Sequence, residues 1–136
     1  MKNLISILIL GVLLAASFTN ATAQDQEHDT KVQKMEEMID DVEGIEKKLA
    51  RCYSEVCQQV RENSEVRSDH FLKAKKAFQN GDMEEAKMAI ETAHSLISTD
   101  VELLETDKND ELTREILILE RELEEKVSDF MKGMEG

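Results

Sequence analysis

The sequence predicts an all-α protein, an up-down bundle of about four helices. Three observations carry that expectation. The composition is that of long helices: proline is absent, aromatics make up 4% and charged residues 35%, and Glu, Lys, Leu, Ala and Met dominate. Apolar residues recur at steps of three and four along most of the chain, the period of a helix with one buried face. Between these stretches lie short polar clusters suited to caps and turns, and no strand-like alternation occurs. The expected helices cover residues 31–62, 66–80, 83–106 and 110–132, with the first the longest, and short connections favour an up-down arrangement.

Residues 1–23 read as a signal peptide. Lys2 supplies the positive start, Leu4 to Ala16 form an apolar run interrupted only by Ser6 and Gly11, and Ala21-Thr22-Ala23 fits cleavage after Ala23. The run is shorter than the ~20 apolar residues of a membrane span, and no cysteine adjoins the cut to carry a lipid. The remainder is expected to be periplasmic or extracellular, free of the membrane, with residues 24–30 a flexible N-terminus and 31–136 a single helical domain. Loss of the leader removes one lysine from 17 basic side chains and none of 30 acidic ones, which leaves a formal net charge of −14. A chain so acidic repels nucleic acid and anionic lipid.

In the first helix, Met35, Met38, Val42, Ile45, Leu49, Cys52 and Val56 alternate steps of three and four, and Val60 extends the seam. This is a coiled-coil-like a/d pattern. Gly44 lies off the seam and reads as a tolerated surface glycine. Because this helix outruns the others, its end is expected to project or to pair with another chain. Asn63-Ser64-Glu65 and Ser68-Asp69 are candidate breaks before the second helix.

Phe71, Ala74 and Phe78 line the second helix, and Ala86, Ala89, Ile90, Ala93 and Ile97 the third. Between them, Asn80-Gly81 is a good C-terminal stop, because both residues tolerate the left-handed conformation. Asp82 is placed to cap the next helix, with Glu85 completing a capping box. Small alanines on both inner faces allow a close approach. On Gly81, with Ala74 before it and Ala86, Ile90 and Ala93 after it, residues 70–98 resemble a single tetratricopeptide-like helical hairpin. His70 and Ser98 depart from that pattern, and no second copy follows to build a binding groove.

The third stripe continues through Ile97, Val101 and Leu104, and Thr106 to Asp110 form the last loop. Leu112, Ile116, Leu119, Leu123, Val127 and Phe130 line the fourth helix. At Ile116-Leu117-Ile118-Leu119 it is apolar all round, so its middle is expected to be enclosed by protein. Glu120, Glu122, Glu124 and Glu125 read as a solvated stripe.

Cys52 and Cys57 are the residues singled out for chemistry, as possible redox or cross-linking positions. On a continuous helix their Cα atoms stand about 8.7 Å apart, beyond the roughly 4.4–6.8 Å that a disulfide accepts. Cys52 then packs in the seam while Cys57 faces the flank. An internal bridge with a distorted helix and an intermolecular bridge remain the alternatives. Six methionines, two cysteines and three histidines in residues 24–136 raise a second possibility, a soft-metal site for monovalent copper, although Met35, Met38, Met83 and Met88 are spaced like core residues. Glu91-Thr92-Ala93-His94 is one Glu-x-x-His where a di-iron bundle needs two. Hydrolase, metalloprotease and phosphate-loop motifs are missing, and no cofactor is indicated. The expected function is therefore non-enzymatic: a secreted or periplasmic helical protein acting through protein-protein contacts as oligomer, adaptor or sensor, with copper binding as the alternative.

Overall fold

The computed structural model describes residues 29–135, so the leader and most of the stretch up to residue 30 lie outside the described residues. Four helices follow: α1 over residues 29–49, α2 Glu55–Asn80, α3 Met83–Glu105 and α4 Glu111–Glu135. No strand occurs among the described residues, and the all-α bundle expected from the sequence is the fold observed. The helices alternate in direction around the bundle. Ion pairs trace the neighbours: Lys75 to Glu36 joins α2 to α1 at 3.1 Å, Arg121 to Glu105 joins α4 to α3, and Lys126 to Asp41 joins α4 to α1 at 2.7 Å. One end of the bundle carries the α2–α3 turn, and the other carries both remaining loops.

The core is continuous from end to end. α1 contributes Met35, Met38, Val42, Ile45 and Leu49, α2 Phe71, Ala74, Ala77 and Phe78, α3 Ala86, Ile90, Ala93, Ile97 and Leu104, and α4 Ile116, Leu123 and Val127. Phe78 and Phe130 meet edge to face with centroids 5.6 Å apart, an arrangement that suits the quadrupoles of the two rings. Ile118 breaks the expectation that the middle of α4 is enclosed, since half of its surface (50%) is exposed. Gly44 is exposed, and a Cβ added there would meet nothing, as a surface glycine requires.

The α2–α3 hairpin is built as the sequence predicts. Gly81 is left-handed at φ 77°. Its N–H donates to Phe78 O at 3.2 Å, and that of Asp82 donates to Ala77 O at 2.8 Å. These two bonds form a Schellman closure that satisfies carbonyls the helix end leaves open. The Asp82 carboxylate accepts from Glu85 N at 3.2 Å. Only this half of the capping box forms, because the Asp82 N–H is already engaged by the closure.

The first helix departs from expectation. It ends at 49, and residues 50–54 form a loop, so the expected single helix over 31–62 is two helices, and α2, with 26 residues, is longer than the part of α1 described here. Asn63-Ser64-Glu65 and Ser68-Asp69 are interior to α2, and Asp29 and Thr30 at the N-terminus are helical. The reason lies in the register. Read backwards from the hairpin, Phe78, Ala74, Phe71, Arg67, Ser64, Val60 and Cys57 are buried at steps that alternate threes and fours, with Ala77 buried beside Phe78. That seam meets the α1 seam, which ends at Cys52, across a five-residue step. A continuous helix would swing one set of core residues about 100° off the core, so the chain turns back instead.

Candidate functional site

Two features stand out from the packed helices: a loop closed by a disulfide, and a charged cluster inside the core. The loop comes first because it sets the register of α2. Cys52 and Cys57 are bridged, with their Cα atoms 5.8 Å apart. This overturns the expectation of unbridged cysteines on one helix, with Cys57 on the flank. The non-helical 50–54 segment brings the two Cα atoms within bridging range, and both cysteines are buried. Arg61 from the second turn of α2 donates Nη1 to the Leu49 carbonyl, which also accepts from Cys52 N, and to the Cys52 carbonyl, at 2.7 and 2.5 Å. The Ser54 hydroxyl caps α2 by accepting from Cys57 N at 3.2 Å. From α4, Thr113 Oγ1 stands 3.8 Å from Cys52 Sγ and 4.0 Å from Cys57 Sγ. Asp110 holds Thr113 through its N–H at 2.9 Å and its hydroxyl at 3.0 Å, and these bonds keep the Asp110 carboxyl below its ordinary range. On this braced base Tyr53 points outward with 87% of its surface exposed.

The second feature was not anticipated. Arg67 on α2, Asp100 on α3 and Glu120 on α4 are each fully buried and meet in the centre of the bundle. Arg67 Nη1 donates to Asp100 Oδ2 at 3.3 Å and to Glu120 Oε1. Asn63 Nδ2 donates to Asp100 Oδ1 at 2.8 Å. On the same helix as Arg67, Ser64 and Ser68 donate to Glu46 of α1 at 2.9 and 3.0 Å, which adds a polar tie between α1 and α2. Arg67 Nε and Nη2 and Glu120 Oε2 are buried without a hydrogen-bond partner among the described residues. Burial pushes the Asp100 carboxyl up to about 7, the charge of Glu120 pushes the same way, and Asn63 and Arg67 oppose both. Glu120 is also raised, first by burial, against the pull of Arg67 and with a further push from Glu124. One guanidinium faces two carboxyls, and burial pushes both of them toward their protonated forms.

Glu120 is thus removed from the expected solvated stripe, where Glu122 and Glu125 do remain and Glu124 is half-buried, accepting from Ser98 Oγ at 2.5 Å. Asp100 replaces Val101 as the core position of α3, since Val101 is only partly buried. The soft-ligand residues do not converge. Met35 and Met38 are in the core, Met83 and Met88 are exposed, and both cysteine sulfurs belong to the bridge. Glu91 and His94 flank the buried Ala93, and among the described residues no group of three or more His, Cys, Asp or Glu is arranged to hold a metal. A cleft of about 520 Å³ opens between the start of α1 and the end of α4, lined by Lys34, Glu37, Met38, Asp129 and Phe130 among others. Among the described residues no helix is long and apolar enough to cross a membrane. No protein-family model, curated protein or solved structure matches the chain at significant similarity.

Proposed function

We propose that this protein is a non-enzymatic, secreted or periplasmic helical bundle that acts through protein-protein contacts. One observation carries the reading: Tyr53, 87% exposed, stands at the tip of a loop whose base is fixed by the Cys52–Cys57 bridge, the Arg61 clamp and the Ser54 cap. Tyrosine offers a large amphipathic contact at little conformational cost and is enriched where interfaces concentrate their energy. Held on a stiff loop, it loses less freedom on binding than it would on a mobile one. The groups whose protonation is most altered lie inside the core, away from the surface where a substrate would meet them. The signal-like leader supplies the compartment, and the −14 formal charge of the chain without it favours a partner with basic surface.

The test is site-specific photocrosslinking in the organism that makes the protein. A photoreactive residue at position 53 should give a discrete adduct, whose mass distinguishes a second copy of the chain from another protein. The same residue at exposed Glu122 should not. Equal labelling at both positions, or none at 53, refutes the assignment of the contact surface. The N-terminus of the isolated protein tests the compartment, with Gln24 expected as its first residue.

A further inference from the structure

We propose that the Arg67–Asp100–Glu120 cluster is a proton-operated latch. With one proton shared between its two carboxyls it is neutral and closes the bundle; without that proton an unmatched negative charge remains in the core and loosens α4 from the α2–α3 hairpin.

The placement supports this. The three side chains come from three different helices, so none of their contacts is local in sequence, and each is wholly excluded from solvent. Arg67 reaches Glu120 on α4 and Asp100 on α3 through the same Nη1. A buried charge is tolerated only when it is matched, because taking it out of water is otherwise uncompensated. One arginine matches one carboxylate. The remaining carboxyl therefore keeps its proton, as its burial and the neighbouring negative charge both require. The carboxylates nearest the cluster add negative charge. Glu46 enters from α1 through Ser64 and Ser68, and Glu124 on α4 adds a further negative charge beside Glu120. His70 lies one turn along α2 with its Nδ1 buried.

The helix that yields is set by the connections. α2 and α3 are joined by the Schellman turn and interlocked through buried alanines, and α1 is tied to α2 by the disulfide. α4 is joined to α3 by residues 106–110 and carries Glu120, so separation of α4 removes one of the two carboxyls from the cluster.

The sign follows from linkage. A carboxyl that holds its proton more tightly when folded makes the folded state bind the extra proton. Stability is then greatest at acidic pH and falls as pH rises toward the folded-state value, about 7 for Asp100. For one proton the folding equilibrium constant should drop about ten-fold for each pH unit between roughly pH 5 and 7. Urea unfolding followed by far-ultraviolet circular dichroism at several pH values measures this slope. Asp100→Asn should flatten it, as should Glu120→Gln. Because either variant risks misfolding, carboxyl carbon-13 titration of the wild-type protein gives an independent reading, with one of the two buried carboxyls titrating near neutrality. Hydrogen exchange corrected for intrinsic rates should show α4 losing protection before the hairpin as pH rises. Flat stability over this range, both carboxyls titrating below about pH 5, or equal loss of protection in hairpin and α4 would overturn the latch.

Discussion

Replacing both cysteines by serine tests the loop that divides α1 from α2. The bridge joins residues separated by five positions. Chain-entropy arithmetic for so short a loop gives about 2 kcal/mol of stabilisation, most of it from restricting the unfolded chain. Competing effects in the folded state are small, because Thr113 Oγ1 lies within 4.0 Å of both sulfurs and is placed to accept or donate to the new hydroxyls. For a domain of this size about 2 kcal/mol corresponds to a melting temperature lower by roughly 10 °C. Thermal unfolding followed by circular dichroism should show that drop in Cys52→Ser/Cys57→Ser. The wild type in a non-thiol reductant should shift to match it, while the variant stays unmoved by reductant. Thiol counting on unfolded, unreduced protein should find no free thiol. Two free thiols would refute the bridge, and a melting temperature unchanged by the double substitution would refute its stabilising role.

Gly81→Val should lose at least about 1 kcal/mol, since a branched residue is strained at φ 77°; denaturant midpoints measure the loss. Gly44→Ala should gain about 0.5–1 kcal/mol on helix propensity alone, because the added methyl meets nothing, and the same assay reads it. Arg67→Met should cost about 3–5 kcal/mol by leaving two carboxyls unmatched in the core. The Asp100→Asn/Glu120→Gln background should shrink that cost when the two sets of unfolding curves are compared, as a cluster bound by charge requires.

The hairpin was legible because each signal there has one physical meaning. Glycine followed by aspartate closes one helix and caps the next, and the alternating alanines and phenylalanines mark faces that can only be buried. The last loop was legible for the same reason: Thr106 to Asp110 is a run of polar side chains that bond to nearby backbone, and Asp110 caps α4 as such residues do. The Tyr53 loop was not legible, because its conformation depends on a bridge and on an arginine clamp from the following helix. The clamp reaches backbone carbonyls, which leave no mark on residue type, and Cys52 and Cys57 carry no sign in the sequence of whether they pair with each other.

The two larger misreadings, the uninterrupted first helix and the solvated Glu120, have one cause. Both treat apolar character as the measure of burial. Ser64, Arg67, Asp100 and Glu120 occupy core positions while looking like surface residues. With Ser64 and Arg67 discounted, α2 reads as beginning only at residue 66, and residues 55–62, its first two turns, fall to the helix before. Counting positions irrespective of polarity restores the seam Cys57, Val60, Ser64, Arg67, Phe71, Ala74, Phe78 and exposes the five-residue step at the cysteines. The polar layer therefore does more than tolerate burial. An apolar seam running unbroken through α1 and α2 would leave the pairing of helix faces underdetermined, whereas Arg67 can be matched at only one level, where Asp100 and Glu120 meet it. That requirement fixes α2, α3 and α4 in register, and the disulfide fixes α1 to them. The same unmatched carboxyl that makes the layer specific also makes it responsive to protons.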